Sequence, residues 1–377
     1  MKCPKLFPLG GPVPEEDVVD REDFLNSLTA RLLGGQSVTL AGPRRIGKTS
    51  LALEVLRRLK KAGCYTAFVD LFRVSTRREL AEAIIDACLE NVTGTRGVLG
   101  KALHGIKSAA GVAELSLKLG NLGFDVRLPS KGRDEDALLD RAFDLPERLA
   151  EKYGRQVVVA FDEFQEASRV AGEDIFKKMR ARFQMHRNVS YLFLGSKEDL
   201  IKAVFSGSKQ AFYRFALALP IPPIPEDSWV EYITKKFRSA GIVAGEESAA
   251  EIVRLTGGHP QDTMLVCSEV YHFLLEAAES TLTLEAVRAG YERALYMLAP
   301  LYDRMLDEIS GNPRLPKILK RLAGGEKTYT RGDHPNEVRR ALNFLASKGI
   351  IEKRGRGKYD FTEPMFKDYI LREFLSP

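Results

Sequence analysis

No run of apolar residues in this 377-residue chain approaches the roughly 20 that a membrane-spanning helix needs. Nothing therefore argues for insertion in a bilayer. Cysteine is also scarce. Cys3, Cys64, Cys88 and Cys267 stand far apart and form no CxxC pair, which disfavours a structural zinc site and suits a reducing compartment. A secretory signal is missing too: Lys2 and Cys3 lead into a proline-rich stretch from Pro4 to Pro14, with no continuous apolar core. A cytoplasmic address and free thiols are expected, and no internal repeat is visible. What is present suits a globular protein. The composition is 44% hydrophobic and 29% charged, and the length exceeds the usual size of one core, so two or three domains are expected. The net charge of +6 is modest but uneven, because Tyr302 to Pro377 holds 16 Lys and Arg against 11 Asp and Glu and so carries nearly all of the excess.

The first 220 residues alternate short β-rich runs with helical stretches, the pattern of an α/β fold with a parallel sheet covered on both faces. The expected strands are Ser37 to Ala41, Tyr65 to Asp70, Val157 to Phe161, Val189 to Leu194 and Phe215 to Leu219. Between the second and third lies an insertion. Within it, Ala113 to Leu119 and Phe124 to Leu128 flank a Gly120-Asn121-Leu122-Gly123 turn, predicting a hairpin at about residues 111–128. The segment Pro220-Ile221-Pro222-Pro223-Ile224-Pro225 can continue neither a helix nor a central strand, and it marks a domain boundary. Beyond it, helical spacing over Glu226 to Ala240, Glu246 to Leu255, Gln261 to Ala278 and Leu284 to Met297 predicts a helical domain over 221–300. Residues 301–377 follow with helices at Arg314 to Leu322 and Asn336 to Lys348. Two strands, Ile350 to Lys353 and Lys358 to Phe361, complete the order of a winged helix.

Gly42-Pro43-Arg44-Arg45-Ile46-Gly47-Lys48-Thr49 fits G-x-x-x-x-G-K-[ST], with an apolar strand before it and an amphipathic helix after, and these residues with Ser50 are the candidate nucleotide-binding loop. Such glycines let backbone N–H groups wrap a phosphate at the positive end of a helix. Lys48 supplies a charge to the β and γ phosphates of ATP, and the Thr49 hydroxyl a ligand to Mg²⁺. Val157 to Phe161 then delivers Asp162 and Glu163 at the carboxyl edge of the sheet, where open α/β sheets bind ligands. Asp162 would hold Mg²⁺ through water and Glu163 would polarise the attacking water; both could instead cap the next helix. Ser196, at the tip of the following strand, could contact the γ-phosphate or serve as an N-cap. Arg214 could be an arginine finger acting in trans, or a surface side chain.

These motifs, with Thr256-Gly257-Gly258-His259-Pro260, resemble the archaeal-type ATPases of the STAND/AAA+ superfamily. So do the ends: Val19-Asp20-Arg21-Glu22-Asp23-Phe24-Leu25 resembles that family's opening motif, and Tyr359-Asp360-Phe361-Thr362-Glu363-Pro364-Met365-Phe366 its closing winged-helix segment. The resemblance implies a core of strand order 5-1-4-3-2 over 1–220, a helical lid over 221–300 and a winged helix over 301–377, related to origin-recognition initiators. It also implies ATP or ADP between core and lid, with Val18, Val19 and Arg21 near the adenine and His259 and Pro260 approaching from the lid. Gln261 stands where the initiators carry a sensor arginine, which leaves two functions open. One is an ATPase switch; the other is a nucleotide-regulated DNA-binding or adaptor module that holds ADP. His259 could donate to a phosphate or cap a helix. Arg339 and Arg340 on the second helix, with Lys353, Arg354, Arg356 and Lys358 on the wing, could meet double-stranded DNA, although Asp333, Glu337 and Glu352 are interspersed and a protein partner is the alternative.

Overall fold

The computed structural model describes residues 6–42, 45–93, 114–118, 125–129, 135–195, 204–205, 211–330, 332–355 and 357–375. It divides into a sheet unit, Glu22–Gly42 with Lys48–Ile221, and a helical unit, Met1–Arg21 with Pro43–Gly47 and Pro222–Pro377. In chain order the sheet unit contains α1 (Glu22–Leu33), β1 (Val38–Ala41), α2 (Lys48–Lys61), β2 (Tyr65–Asp70), α3 (Arg77–Thr93), β3 (Glu114–Lys118), β4 (Asp125–Pro129) and α4 (Glu135–Tyr153). It continues with β5 (Val157–Asp162), α5 (Ala167–Ala171), α6 (Asp174–Phe183), β6 (Val189–Gly195) and β7 (Leu217–Ala218).

Five strands form one parallel sheet in the order β2-β5-β6-β1-β7. Counted as core strands one to five and read from the far edge, this is the expected order 5-1-4-3-2. Its central strands are continuous apolar runs because both faces are covered. Val157, Val159 and Phe161 of β5 join a core with α3, α4 and α6, while the alternate residues Val158 and Ala160 are equally buried on the face against which α2 packs. The fifth strand is shorter than expected. Only Leu217 and Ala218 pair with β1, because Phe215 turns into an aromatic cluster against Phe193 and Phe212. Strands β3 and β4 pair antiparallel from Glu114↔Pro129 to Lys118↔Asp125, as the hairpin expectation requires; its turn lies outside the described residues.

The helical unit contains α7 (Glu226–Ser239), β8 (Val243–Ala244), α8 (Glu246–Thr256), α9 (Pro260–Glu276), β9 (Thr281–Leu282) and α10 (Leu284–Ser310). After these come α11 (Arg314–Ala323), α12 (Pro335–Ser347), β10 (Ile351–Gly355), β11 (Lys358–Phe361) and α13 (Pro364–Leu375), with β10 and β11 antiparallel. One core runs through them all. The single tryptophan, Trp229, is fully buried in it, and its indole Nε1 donates to the Gly258 carbonyl at 3.1 Å. Helix α10 is longer than its spacing predicts. It passes through Pro300, whose missing N–H costs a helix about 3 kcal/mol, because Leu295, Tyr302 and Ile309 bury apolar surface on both sides of the proline. Among the described residues, no helix is long and apolar enough to cross a membrane.

Candidate nucleotide site

In the sheet unit, Lys48 opens α2 and is almost fully buried, with its ammonium donating to the Gly42 carbonyl at 2.8 Å. The lysine thus turns back toward the end of β1. Thr49 follows on the first turn, and its Oγ1 donates to Asp162 Oδ2 at 2.7 Å. Parallel pairing brings this about: β5 ends on Asp162, while β1, two strands away, feeds directly into the loop and α2. A hydroxyl and a carboxylate oxygen so close form a hard-oxygen donor set suited to Mg²⁺ with its waters. Asp162 is 6% exposed. Burial pushes its carboxyl pKa up, the hydrogen bonds from Thr49 and from the Glu163 amide pull it back, and the charges of Glu163 and Asp70 add to the rise. A cation would relieve that cost.

Glu163 holds φ at 50°, the left-handed region that a β-carbon disfavours by roughly 1–2 kcal/mol. Two neighbours enforce it. The Glu163 amide donates to Asp162 Oδ1 at 2.9 Å, and Phe164, fully buried, anchors the chain just beyond. The Phe164 ring lies 4.5 Å from Phe193 and 5.3 Å from both Phe176 and Phe212. The Gln165 amide donates to the Glu163 carboxylate. Asp70, which the sequence does not single out, is the direct register partner of Asp162. Adjacent core strands two and three, each ending in Asp, carried that signal. Arg214 is exposed, stacks over Tyr213 at 5.3 Å and also adopts a positive φ of 56°. Ser196 lies outside the described residues, as do Pro43 and Arg44.

In the helical unit, Val19 is buried in the core. Arg21 is 5% exposed and donates from its guanidinium to the carbonyls of Pro222 and Pro223, so it fastens the proline segment, and burial lowers its pKa. His259 caps α9: its Nδ1 accepts from the Asp262 amide at 3.4 Å and faces the Asp262 carboxylate at 3.3 Å, while its buried Nε2 has no partner among the described residues. Burial alone would lower this imidazole, but once protonated Nδ1 donates to the Asp262 carboxylate instead, and that hydrogen bond and charge, with Glu363 beyond, leave its pKa raised against a lowering by Arg45. Pro260 takes the first turn of α9, where a missing N–H costs nothing. Arg45, at φ 69°, and Ile46 and Gly47 complete the described loop, with the Gly47 φ of 91° explaining its glycine. Arg339, Arg340, Lys353 and Lys358 are exposed on α12 and the β10–β11 pair, whereas the side chains of Arg354 and Arg356 lie outside the described set.

Residues 18–266 match a family described as an ATPase domain predominantly from Archaea. A comparison with curated proteins finds no match. Among solved structures, the fold is similar to a Walker-type ATPase of Pyrococcus abyssi over 97% of this chain and 99% of that one, at 21% identity and a TM-score of 0.70. It is also similar to the Aeropyrum pernix ORC2 protein in its ADPNP and ADP complexes, over 100% and 99% of the two chains, at 14% identity and a TM-score of 0.61. Cdc6p of Pyrobaculum aerophilum aligns over 98% of each chain at 14% identity with a TM-score of 0.51.

Proposed function

The chain belongs to the family of ATPase domains found predominantly in Archaea and is an ATPase; from that premise we propose that it hydrolyses ATP with Mg²⁺ to drive a conformational switch. The observation that carries this is the 2.7 Å bond from Thr49 to Asp162, with Glu163 the next residue along the chain. Bound Mg²⁺ would neutralise charge on the β and γ oxygens, held by Thr49 and, through water, by Asp162. Lys48 turns from the Gly42 carbonyl toward those oxygens, while Gly42, Ile46, Gly47 and Ser50 frame the loop. Glu163 accepts the proton of the attacking water, and Gln165 keeps its carboxylate aimed. Ser196, which lies outside the described residues, is the proposed contact to the γ-phosphate. Arg214, exposed and stacked on Tyr213, is free to serve a neighbouring subunit. Val19 and Arg21 shape the adenine end, and Pro260 presents His259 Nε2 toward a phosphate. Residues 221–300 act as a lid and 301–377 as a winged helix that reports the nucleotide state to its partner, with the exposed cations of α12 and β10–β11 facing duplex DNA phosphates.

One observation favours a second function, a nucleotide-regulated adaptor that holds ADP. Gln261, in the first turn of α9, offers no cationic side chain to a phosphate. The two functions separate on the purified protein. Phosphate release from ATP that requires Mg²⁺, without co-purifying nucleotide, supports the ATPase switch; stoichiometric ADP with negligible turnover supports the adaptor. For the DNA arm, a steep loss of duplex affinity with rising salt is expected, and no binding at low salt would remove it.

A further inference from the structure

Arg45 belongs to the glycine loop, yet its Nη1 lies 3.3 Å from Oε1 of Glu363, the residue directly before α13. Both residues are part of the helical unit, and their side chains are only 31% and 15% exposed. Glu363 is held firmly. Its carbonyl accepts from the amides of Phe366 and Lys367 at 3.1 and 3.3 Å, closing the first turn of α13. Pro364, the next residue, packs so tightly on Gly257 that a β-carbon there would come within 2.8 Å of its Cγ. The carboxylate is thus fixed between the start of α13 and the turn that leads into α9. Burial pushes its pKa up, Arg45 is the chief attraction pulling it down, Asp262 adds to the rise, and His259 and Tyr302 oppose it.

Resting on the assignment of the loop as a nucleotide phosphate site, we propose that Glu363 is an affinity-determining residue of that site: it holds Arg45 in an ion pair that incoming phosphates must break. Nucleotide binding thereby loosens the first turn of α13. A polyphosphate carries several negative charges against the single charge of Glu363, so it wins the guanidinium. Glu363 is then left buried beside Asp262 without its main counter-charge, a state that favours outward movement of the carboxylate. Linkage makes the effect mutual: what Glu363 removes from nucleotide affinity, nucleotide removes from the seating of α13.

The test is calorimetric titration of the full chain with ADP and Mg²⁺, comparing wild type, Glu363→Gln, Arg45→Gln and the double variant. Glu363→Gln should bind ADP about 5- to 30-fold more tightly, within the usual range of such couplings. Against Arg45→Gln the same change should alter Kd less than about twofold, because the pair is already gone. Unchanged or weaker binding by Glu363→Gln overturns the proposal. Should that variant disturb Trp229 fluorescence, hydrogen exchange of the wild type decides: ADP should speed exchange at Phe366 and Lys367, and unchanged or slower exchange overturns it. Lys48→Ala separates the two layers. ADP binding that ignores Lys48 removes the phosphate-site assignment itself, whereas binding that needs Lys48 but is indifferent to Glu363 removes only the role of Glu363.

Discussion

Gly290 sits in α10 where that helix crosses α9, and an added β-carbon would stand 2.4 Å from Val270 Cγ2, 2.6 Å from its backbone N and 2.7 Å from its Cα. Two of those three atoms are backbone, so no change of rotamer relieves the clash. Relief requires α9 and α10 to separate by roughly 1 Å, loosening the packed rows on either side. Overpacking of this kind costs about 1–3 kcal/mol, and contact with backbone places Gly290→Ala toward the upper end. The substitution also gains about 1 kcal/mol of helix propensity, leaving a net loss near 2 kcal/mol. Trp229 is the sole tryptophan and is buried in the same core, so its fluorescence reports unfolding of the helical unit alone. With an m-value of about 2 kcal/mol/M, the urea midpoint should fall by roughly 1 M. Gly311→Ala is the control: its φ is −59° and nothing lies within 4 Å of its added β-carbon, so it should be neutral or slightly stabilising. A Gly290→Ala midpoint equal to or above wild type would refute the close-packing argument, since propensity alone would then have prevailed.

Phe164→Ala removes a fully buried ring from beneath the Asp162-Glu163 tip. It should cost about 3–5 kcal/mol of stability and lower kcat more than it raises KM, measured under conditions where the variant remains folded; full turnover would show that Glu163 does not depend on this anchor. His259 gives a signed dependence on pH. Its folded pKa is raised, so its contribution is complete below the unfolded value of about 6.5 and is lost as pH rises through the folded value. Above pH 6.5 the Trp229 unfolding midpoint of wild type should fall more than that of His259→Gln, and parallel profiles would contradict the assignment. The buried Cys88 thiol, pushed up to about 12 by burial, should resist a thiol reagent until the protein unfolds, checked in a Cys3→Ser variant; prompt reaction at Cys88 would place it nearer the surface.

The parts written in local pattern are legible in the sequence itself. Val157 to Asp162 reads as a doubly covered strand because every position is apolar up to the acid, and the glycine loop declares itself through its spacing. Helix α10 was legible only in part, since Pro300 is a local stop signal that long-range burial of Tyr302 and Ile309 overrides. The same limit applies at the site. Thr49 and Asp162 stand 113 residues apart, and sequence alone pairs them only through the chemistry they share. The tie between Arg45 and Glu363 had no motif to announce it, because ion pairing across 318 residues is set by how α13 packs on the Gly257 turn. The roles of Arg21 and Phe344 likewise depend on packing. Arg21 holds proline carbonyls. Phe344 is 40% exposed beside Lys348, while Leu342 and Leu345 of the same helix are buried.

Turnover of ATP by three proteins, wild type, Lys48→Ala and Glu163→Gln, tests the central claim most directly when phosphate release and nucleotide binding are measured on the same samples. Wild type should release phosphate only with Mg²⁺. Lys48→Ala should lose both binding and turnover, whereas Glu163→Gln should bind ATP with near-normal affinity and turn over at least about 100-fold more slowly, the scale of a missing general base. Turnover by Glu163→Gln within about threefold of wild type would contradict the assignment, since it would leave the water to be activated by something other than the residue that follows Asp162.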